Sequence, residues 1–282
     1  MTVVACVDLD RTLIYSANAL ALEGREAEPP RLLCVELYQA RPLSFVTSDA
    51  AKAWEILARA AVLVPTTTRT PEQYARIRLP GRPPSHAICA NGGFLLVDGE
   101  EDTAWSASVR KKTAGCAPVL EVFDHVQARS GDFTLSVRTA SDLFVYTVVE
   151  RDRLPDGWVE ELAAWCAARG WKVSLQGRKV YCLPVPLTKS AAAAEIAHRT
   201  GASHLLAAGD SLLDTELLEA ADAAIRPAHG ELHEQAHTGT AVTSGPGVLA
   251  GEEIVSWLLA RALEPSFIPE TGAWRVRPAP PA

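Results

Sequence analysis

The chain has 282 residues, of which 48% are hydrophobic and 22% charged, and its formal net charge is −7. This composition excludes a wholly disordered protein, and the acidic balance argues against general nucleic-acid binding, which needs a basic face. No apolar run reaches the ~18 residues that a membrane-spanning helix requires, and the N-terminus lacks the basic region of a secretory signal. The six cysteines are scattered without a C-x-x-C pair, which favours a reduced, cytoplasmic protein.

Short apolar runs predict the strands of a parallel sheet. Each run lacks alternation of apolar and polar residues and ends abruptly in polar or small ones, as strands buried on both faces do. The runs occupy residues 3–7, 61–64, 87–90, 205–208, 223–225 and 241–243. Helical patterns lie at residues 49–59, 188–200 and 212–221. Alternating strands and helices predict an α/β fold with a doubly wound parallel-sheet (Rossmann-like) core.

Two segments depart from this alternation. After the first strand and a polar stretch at 23–30, residues 32–37 and 43–47 predict a hairpin that forms a flap beside that strand. The middle of the chain is typical of an inserted α+β domain. Its predicted elements are strands at 133–138 and 143–149, a helix at 158–169, and strands at 171–175 and 179–183. We therefore predict a discontinuous core at 1–92 and 185–264, a cap domain at 93–184 and a Pro-rich tail at 265–282.

Residues that carry chemistry follow several of the predicted core strands, and a lysine precedes another. They are Asp8, Asp10, Thr67, Lys189, Asp210 and Asp214. Because ligands of open α/β sheets bind beyond the carboxyl ends of the strands, we expect these side chains to lie together. Carboxylates that gather in one place repel each other unless a cation lies among them, and ligand sets of oxygen alone favour Mg²⁺.

Such a cluster suits phosphoryl transfer. Mg²⁺ and Lys189 would together attract a phosphoryl group. Asp8 can then attack phosphorus and form an aspartyl phosphate, while Asp10 protonates the leaving oxygen and later activates water. Thr67 can donate a hydrogen bond to a phosphoryl oxygen. Catalysis of this kind consists mainly of positioning and charge neutralisation.

The order of these residues resembles the haloacid dehalogenase superfamily. Its four motifs correspond to D-x-D-x-T at residues 8–12, the threonine at Thr67, the lysine at Lys189, and G-D-x-x-x-D at residues 209–214. Residues 88–93 and 180–189 resemble the segments that flank the cap in the sugar-phosphatase branch with a C2-type cap. Residues 67–70 are similar to the second motif of sucrose-phosphate and mannosyl-3-phosphoglycerate phosphatases.

The resemblance implies a Mg²⁺-dependent phosphatase that acts on a small phosphorylated metabolite, in particular a sugar phosphate. It implies that Asp8 is nucleophile and metal ligand, and that Asp10 is acid and base and binds the metal through its backbone carbonyl. It makes Asp210 the third protein ligand and Asp214 either a ligand or a partner of one. One departure concerns Arg11, which stands where the family usually has glycine and leaves the geometry of that turn open.

Two other functions use the same scaffold. A phosphomannomutase-like enzyme would share the core chemistry and a similar cap, but it would need a bisphosphorylated activator. A regulatory binder that has lost catalysis would keep the fold, although the intact acidic residues argue against it. In all three cases the expected partner is a small phosphorylated molecule, with no nucleic acid and no membrane, and the sequence leaves the oligomeric state open.

A rival motif lies near the C-terminus. His233 and His237 form an H-E-x-x-H pattern, with His229 one turn earlier. On a helix, histidines four residues apart share a face and can bind Zn²⁺. The candidate helix is short and bounded by Gly230 and Gly239, whereas a metalloprotease helix is normally long and buried. We therefore favour the phosphatase hypothesis.

Overall fold

The computed structural model describes residues 2–23 and 28–264. The described strands are β1 (Val3–Asp8), β2 (Leu32–Tyr38), β3 (Arg41–Thr47), β4 (Val62–Thr66), β5 (His86–Cys89), β6 (Phe94–Val97), β7 (Glu100–Glu101), β8 (Thr134–Ala140), β9 (Phe144–Val149), β10 (Trp171–Gln176), β11 (Lys179–Pro184), β12 (His204–Ala208), β13 (Ala223–Arg226) and β14 (Ala241–Val242). The described α-helices are α1 (Ser48–Ala60), α2 (Pro71–Tyr74), α3 (Thr103–Thr113), α4 (Val119–Ala128), α5 (Trp158–Ala167), α6 (Lys189–Arg199), α7 (Thr215–Ala220), α8 (Glu231–Glu234) and α9 (Val248–Leu263). The predicted Pro-rich tail at 265–282 lies outside the described residues, as do residues 24–27 of the predicted polar stretch.

The core is one eight-stranded sheet in the order β14-β13-β12-β1-β4-β5-β6-β7. The strands from β14 to β5 run parallel, and β6 and β7 extend the sheet in antiparallel fashion. The central strand β1 is buried along its whole length. This arrangement confirms the predicted α/β fold with a Rossmann-like core, and it brings the carboxyl ends of β12, β1 and β4 side by side.

The two faces of β1 have different neighbours because side chains alternate along a strand. Val3, Ala5 and Val7 belong to a hydrophobic core that also contains residues of α1 and α9. Helix α1 packs against α9, whereas α6 packs against α7 and β1. Asp8 projects to the face opposite Val7, where it meets the first residue of α6.

The predicted hairpin is present in the core unit. Strands β2 and β3 pair antiparallel and are joined by a two-residue turn, the connection length best matched to strand twist. Phe45 of β3 pairs with Tyr15 in the loop after β1, and Glu36 of β2 pairs with Ile77 after α2. The hairpin therefore connects the segments that follow β1 and β4, which are the segments with the predicted site residues.

The middle of the chain, Asp102–Thr188, forms a second compact unit. Its antiparallel sheet has the order β10-β11-β9-β8, with α4 packed on β8 and β9 and α5 packed on β10. The bounds of this unit differ from those of the predicted cap domain at 93–184. Strands β6 and β7 pair with β5 and so extend the core sheet rather than the second unit.

Within the described residues, no helix has the length and apolar character needed to cross a membrane.

Candidate active site

A buried lysine and a buried aspartate meet at the carboxyl end of β1. Asp8 is the last residue of β1 and Lys189 the first residue of α6, and their side chains are nearly inaccessible to solvent. Lys189 Nζ donates hydrogen bonds of 2.6 Å to Asp8 Oδ1 and to Asp214 Oδ1. Burial alone would lower the pKa of Lys189, but the charges of Asp214 and Asp8 outweigh it and hold that pKa above its usual value. Lys189 is therefore a fixed positive charge between two carboxylates.

Three carboxylates converge around this lysine. Oxygen atoms of Asp8, Asp210 and Asp214 all lie within 4.8 Å of one another. Burial, and then the charge of Asp214, raise the pKa of Asp8 to about 7, although Lys189 opposes the shift. Burial and the charges of Asp8 and Asp214 likewise raise the pKa of Asp210 well above its usual value. One lysine does not balance three buried carboxylates, so the cluster favours an additional cation.

The loop after β12 holds Asp214 in place. A helix is predicted over residues 212–221, but the chain forms a 3₁₀ turn at Leu212–Asp214 before α7 begins. Ser211 donates from its backbone nitrogen and its hydroxyl to Asp214 Oδ2, at 3.0 and 2.7 Å. Gly209 is required here, because a Cβ atom at this position would lie 2.4 Å from Asp214 Cγ. Both Asp214 oxygens therefore accept hydrogen bonds, Oδ2 from Ser211 and Oδ1 from Lys189.

Asp10 lies in different surroundings from Asp8. Its side chain is half exposed, and both of its oxygens accept hydrogen bonds from one guanidinium. Arg69 Nη2 donates to Asp10 Oδ1 at 2.7 Å, and Arg69 Nε donates to Asp10 Oδ2 at 2.8 Å. Asp10 does not belong to the cluster of three carboxylates.

Arg69 is itself held by a buried glutamate of the hairpin. Arg69 Nη1 donates to Glu36 Oε1 at 2.8 Å, and the Glu36 side chain is fully buried. Sequence reasoning placed Arg69 in a phosphatase motif but did not identify Glu36. The available signal was a single acidic residue inside the apolar run of residues 32–37, a pattern that calls for a buried cationic partner.

Thr67 follows β4 and is buried. Its backbone nitrogen donates to Ile88 O at 2.8 Å, and its hydroxyl oxygen accepts a 3.1 Å hydrogen bond from the Arg69 backbone nitrogen. Among the described residues no acceptor takes the hydroxyl proton, so the hydroxyl can donate to an incoming oxygen atom.

No family model and no curated protein matches the chain. Several solved structures do match it. Sucrose-phosphatase from Synechocystis sp. PCC6803, solved with sucrose and phosphate, is 13% identical, with 92% of this chain and 98% of that chain covered and a TM-score of 0.61. A trehalose-6-phosphate phosphatase related protein is 16% identical, with 93% and 99% covered and a TM-score of 0.54. A phosphatase of the haloalkanoate (HAD) enzyme superfamily from Bacteroides thetaiotaomicron is 13% identical, with 92% and 95% covered and a TM-score of 0.50.

The chain has the haloacid dehalogenase fold. This confirms, at the level of the fold, the resemblance predicted from the four motifs. At these sequence identities the likeness establishes the fold alone.

The turn after β1 accommodates Arg11, although the resemblance led us to expect glycine at this position. Arg11 has a φ of 66°, in the left-handed region that favours glycine. Its backbone nitrogen donates to Ile14 O at 2.9 Å and its carbonyl accepts from His229 Nε2 at 2.8 Å. The guanidinium is partly exposed, with Nε 3.7 Å from Asp210 Oδ2. Arg11 therefore adopts a backbone conformation that favours glycine and adds a positive charge beside one of the carboxylates.

The histidines of the H-E-x-x-H pattern do not form a metal site. Helix α8 ends at Glu234, so the i and i+4 histidines do not share a helical face. His229 uses both ring nitrogens, donating to Arg11 O and accepting from Gly247 N, and His233 Nδ1 lies 3.1 Å from an Arg226 nitrogen. Over residues 2–23 and 28–264, the cluster of Asp8, Asp210 and Asp214 is the one group with metal-binding geometry.

Proposed function

We propose that the protein is a Mg²⁺-dependent phosphatase that hydrolyses a small phosphorylated metabolite, in particular a sugar phosphate, through an aspartyl phosphate on Asp8. The observation that carries the proposal is the convergence of Lys189, Asp210 and Asp214 on Asp8 at the carboxyl end of the central strand. The fold shared with sucrose-phosphatase and other phosphatases supports it.

The first step uses Asp8 as nucleophile. A carboxylate oxygen of Asp8 attacks phosphorus, the bond from phosphorus to the ester oxygen breaks, and that oxygen takes a proton from Asp10. In the second step water attacks the aspartyl phosphate and gives a proton to Asp10. Inorganic phosphate leaves, and the Asp8 carboxylate is restored.

The residues at the site fit Mg²⁺. The converging carboxylates of Asp8, Asp210 and Asp214 supply only oxygen, the donor that Mg²⁺ prefers. Burial and mutual repulsion raise the pKa values of Asp8 and Asp210, so a bound divalent cation would favour their ionised forms. When bound, Mg²⁺ would supply charge neutralisation for the phosphoryl group and for Asp8.

Two further residues orient the phosphoryl group. The ammonium of Lys189 is fixed by two carboxylates and presents its charge beside the attacking oxygen of Asp8. The buried hydroxyl of Thr67 can donate to a second phosphoryl oxygen. These contacts position the reacting group and offset its negative charge, which are the main sources of rate in phosphoryl transfer.

The test is phosphate release from a panel of sugar phosphates by the purified full chain with Mg²⁺. We expect release from at least one sugar phosphate, loss of release in excess chelator, and restoration by added Mg²⁺. Asp8→Asn is the inactive variant, and Asp49→Asn, which changes an exposed aspartate on α1, is the matched control with full activity. Full activity after exhaustive chelation would disprove the metal requirement.

The same assay separates the alternative functions. A phosphomannomutase-like enzyme would interconvert hexose phosphates only with a bisphosphorylated activator and would release little phosphate. A regulatory binder would bind a sugar phosphate without releasing phosphate. The cytoplasmic location and the absence of nucleic-acid and membrane partners stay predictions.

A further inference from the structure

We propose that Glu36 of the β2–β3 hairpin is a positioning residue for Asp10, acting through Arg69. This inference rests on the proposed function, since it concerns the residue that protonates the leaving oxygen. It assigns a role in the reaction to the hairpin, which carries none of the four phosphatase motifs.

The geometry forms a continuous chain of charged groups. One edge of the Arg69 guanidinium, Nε with Nη2, donates to both oxygens of Asp10 at 2.8 and 2.7 Å. The remaining nitrogen, Nη1, donates to Glu36 Oε1 at 2.8 Å. The N–H donors of the planar guanidinium have fixed relative directions. The hydrogen bond to Glu36 therefore orients the guanidinium plane, and with it the two donors that bind Asp10.

Glu36 is a rigid anchor for Arg69. Its side chain is fully buried, and its second oxygen accepts a 2.6 Å hydrogen bond from the buried hydroxyl of Ser44 on the opposite strand of the hairpin. Arg76 Nε lies 3.3 Å from the same Glu36 oxygen that Arg69 binds. The carboxylate is thus held from three directions, whereas Asp10 is half exposed and is held by Arg69.

The difference in rigidity between Glu36 and Asp10 determines how the loss of Glu36 should change catalysis. An exposed aspartate at the end of a strand has several accessible rotamers, and a general acid must lie within hydrogen-bond reach of the oxygen that it protonates. Arg69 restricts Asp10, and Glu36 restricts Arg69. Loss of Glu36 should therefore lower the fraction of time that Asp10 is correctly directed, without removing any group that contacts the substrate.

The central test is a double-mutant cycle between Glu36→Gln and Asp10→Asn, assayed with a sugar phosphate and with an aryl phosphate. Glutamine keeps the shape of Glu36 but loses its charge. We expect kcat for the sugar phosphate to fall about tenfold, a part of the 10²–10⁴-fold effect of a general acid, with KM and the aryl phosphate rate nearly unchanged. In the Asp10→Asn background, Glu36→Gln should have no further effect.

Two further variants guard against a merely structural explanation. Arg41→Gln removes the charge of an exposed arginine on the same hairpin, outside the chain that joins Glu36, Arg69 and Asp10, and it should leave both rates within about twofold. Arg69→Lys keeps the charge but cannot make the bidentate contact, so it should reproduce the selective loss on the sugar phosphate. Equal losses on both substrates for Glu36→Gln, or a full further loss in the Asp10→Asn background, would overturn the proposal.

A measurement independent of activity separates this inference from the proposed function. In solution NMR, the Arg69 Nε–H proton, assigned through Arg69→Lys, should exchange slowly with water in the wild type. Exchange should become fast in Asp10→Asn and in Glu36→Gln. If exchange follows this pattern but no phosphate is released from any substrate, the proposed function fails while the coupling of Glu36 to Asp10 stands. Unchanged exchange in Glu36→Gln would overturn the coupling itself.

Discussion

Asp8 and Asp10 are two residues apart in sequence but lie in contrasting surroundings. Asp8 is buried, and it shares Lys189 with Asp214. Asp10 is half exposed and is held by Arg69 from outside the carboxylate cluster. Two aspartates on one short turn can therefore differ in function. Burial and neighbouring charges determine how readily each carboxyl group binds a proton or a metal ion.

The largest expected effect comes from removing the nucleophile. Asp8→Asn should lower turnover at least about 10³-fold, because the amide oxygen cannot form the covalent intermediate. The measurement is phosphate release together with acid-quench trapping of radiolabelled phosphoenzyme. A phosphoenzyme that survives in Asp8→Asn would place the nucleophile elsewhere and remove the proposed contrast between the two aspartates.

Asp10→Asn sharpens the contrast because its effect should depend on the leaving group. We expect turnover of a sugar phosphate to fall about 10²–10⁴-fold, since its alkoxide leaving group needs a proton. An aryl phosphate, whose leaving group needs little help, should lose much less. The measurement is kcat for both substrates in wild type and variant. Equal losses on the two substrates would show that Asp10 is not the acid.

The pH dependence of stability tests the burial of Asp8. Its pKa is raised to about 7 in the metal-free protein, above the unfolded value near 4. Between those values the folded state binds more protons than the unfolded one, so the metal-free protein should lose stability as pH rises from about 4 to about 7. The loss from Asp8 is on the order of 4 kcal/mol at most.

Denaturant unfolding at pH 5 and pH 7.5 measures this loss, with chelator or with Mg²⁺. Mg²⁺ favours ionised Asp8, so it should stabilise the protein more at pH 7.5 than at pH 5. Asp8→Asn is the control, because it should remove the part of the fall in stability that Asp8 contributes and leave the part that Asp210 contributes. A difference between wild type and Asp8→Asn that does not change with pH would contradict the raised pKa.

The smallest expected effect concerns Arg11, whose charge lies beside Asp210. Arg11→Gly removes a partly exposed positive charge near a proposed metal ligand, so Mg²⁺ should bind about threefold more tightly by calorimetry. Because φ at this position is 66°, glycine should also raise the free energy of unfolding by up to about 1 kcal/mol.

Arg11→Gln separates the two effects of Arg11→Gly. It removes the charge but keeps a Cβ atom in the left-handed region. This variant should therefore gain Mg²⁺ affinity without gaining stability. Weaker Mg²⁺ binding in both variants would show that Arg11 supports the metal site rather than opposing it.

Much of the core could be predicted from the sequence because the signals are local. The apolar runs at 3–7 and 205–208 correspond to β1 and β12, and the polar residues after them lie where strand ends meet in a parallel sheet. The hairpin at β2–β3 was also predicted. The boundary between the two units was harder to predict from the sequence. It depends on the pairing of β6 and β7 with the core sheet, which the local residue pattern does not encode.

By itself the sequence determined the haloacid dehalogenase fold and the set of residues, from Asp8 to Asp214, expected at the ends of its strands. It did so because strand burial and motif spacing are properties of short segments. Only the tertiary structure decided that Glu36 reaches Arg69 and that Arg69 reaches Asp10, contacts that join residues 33 and 59 positions apart. Such contacts depend on how the hairpin pairs with the segments after β1 and α2, and a buried charge in an apolar run indicates that a partner exists without indicating which one.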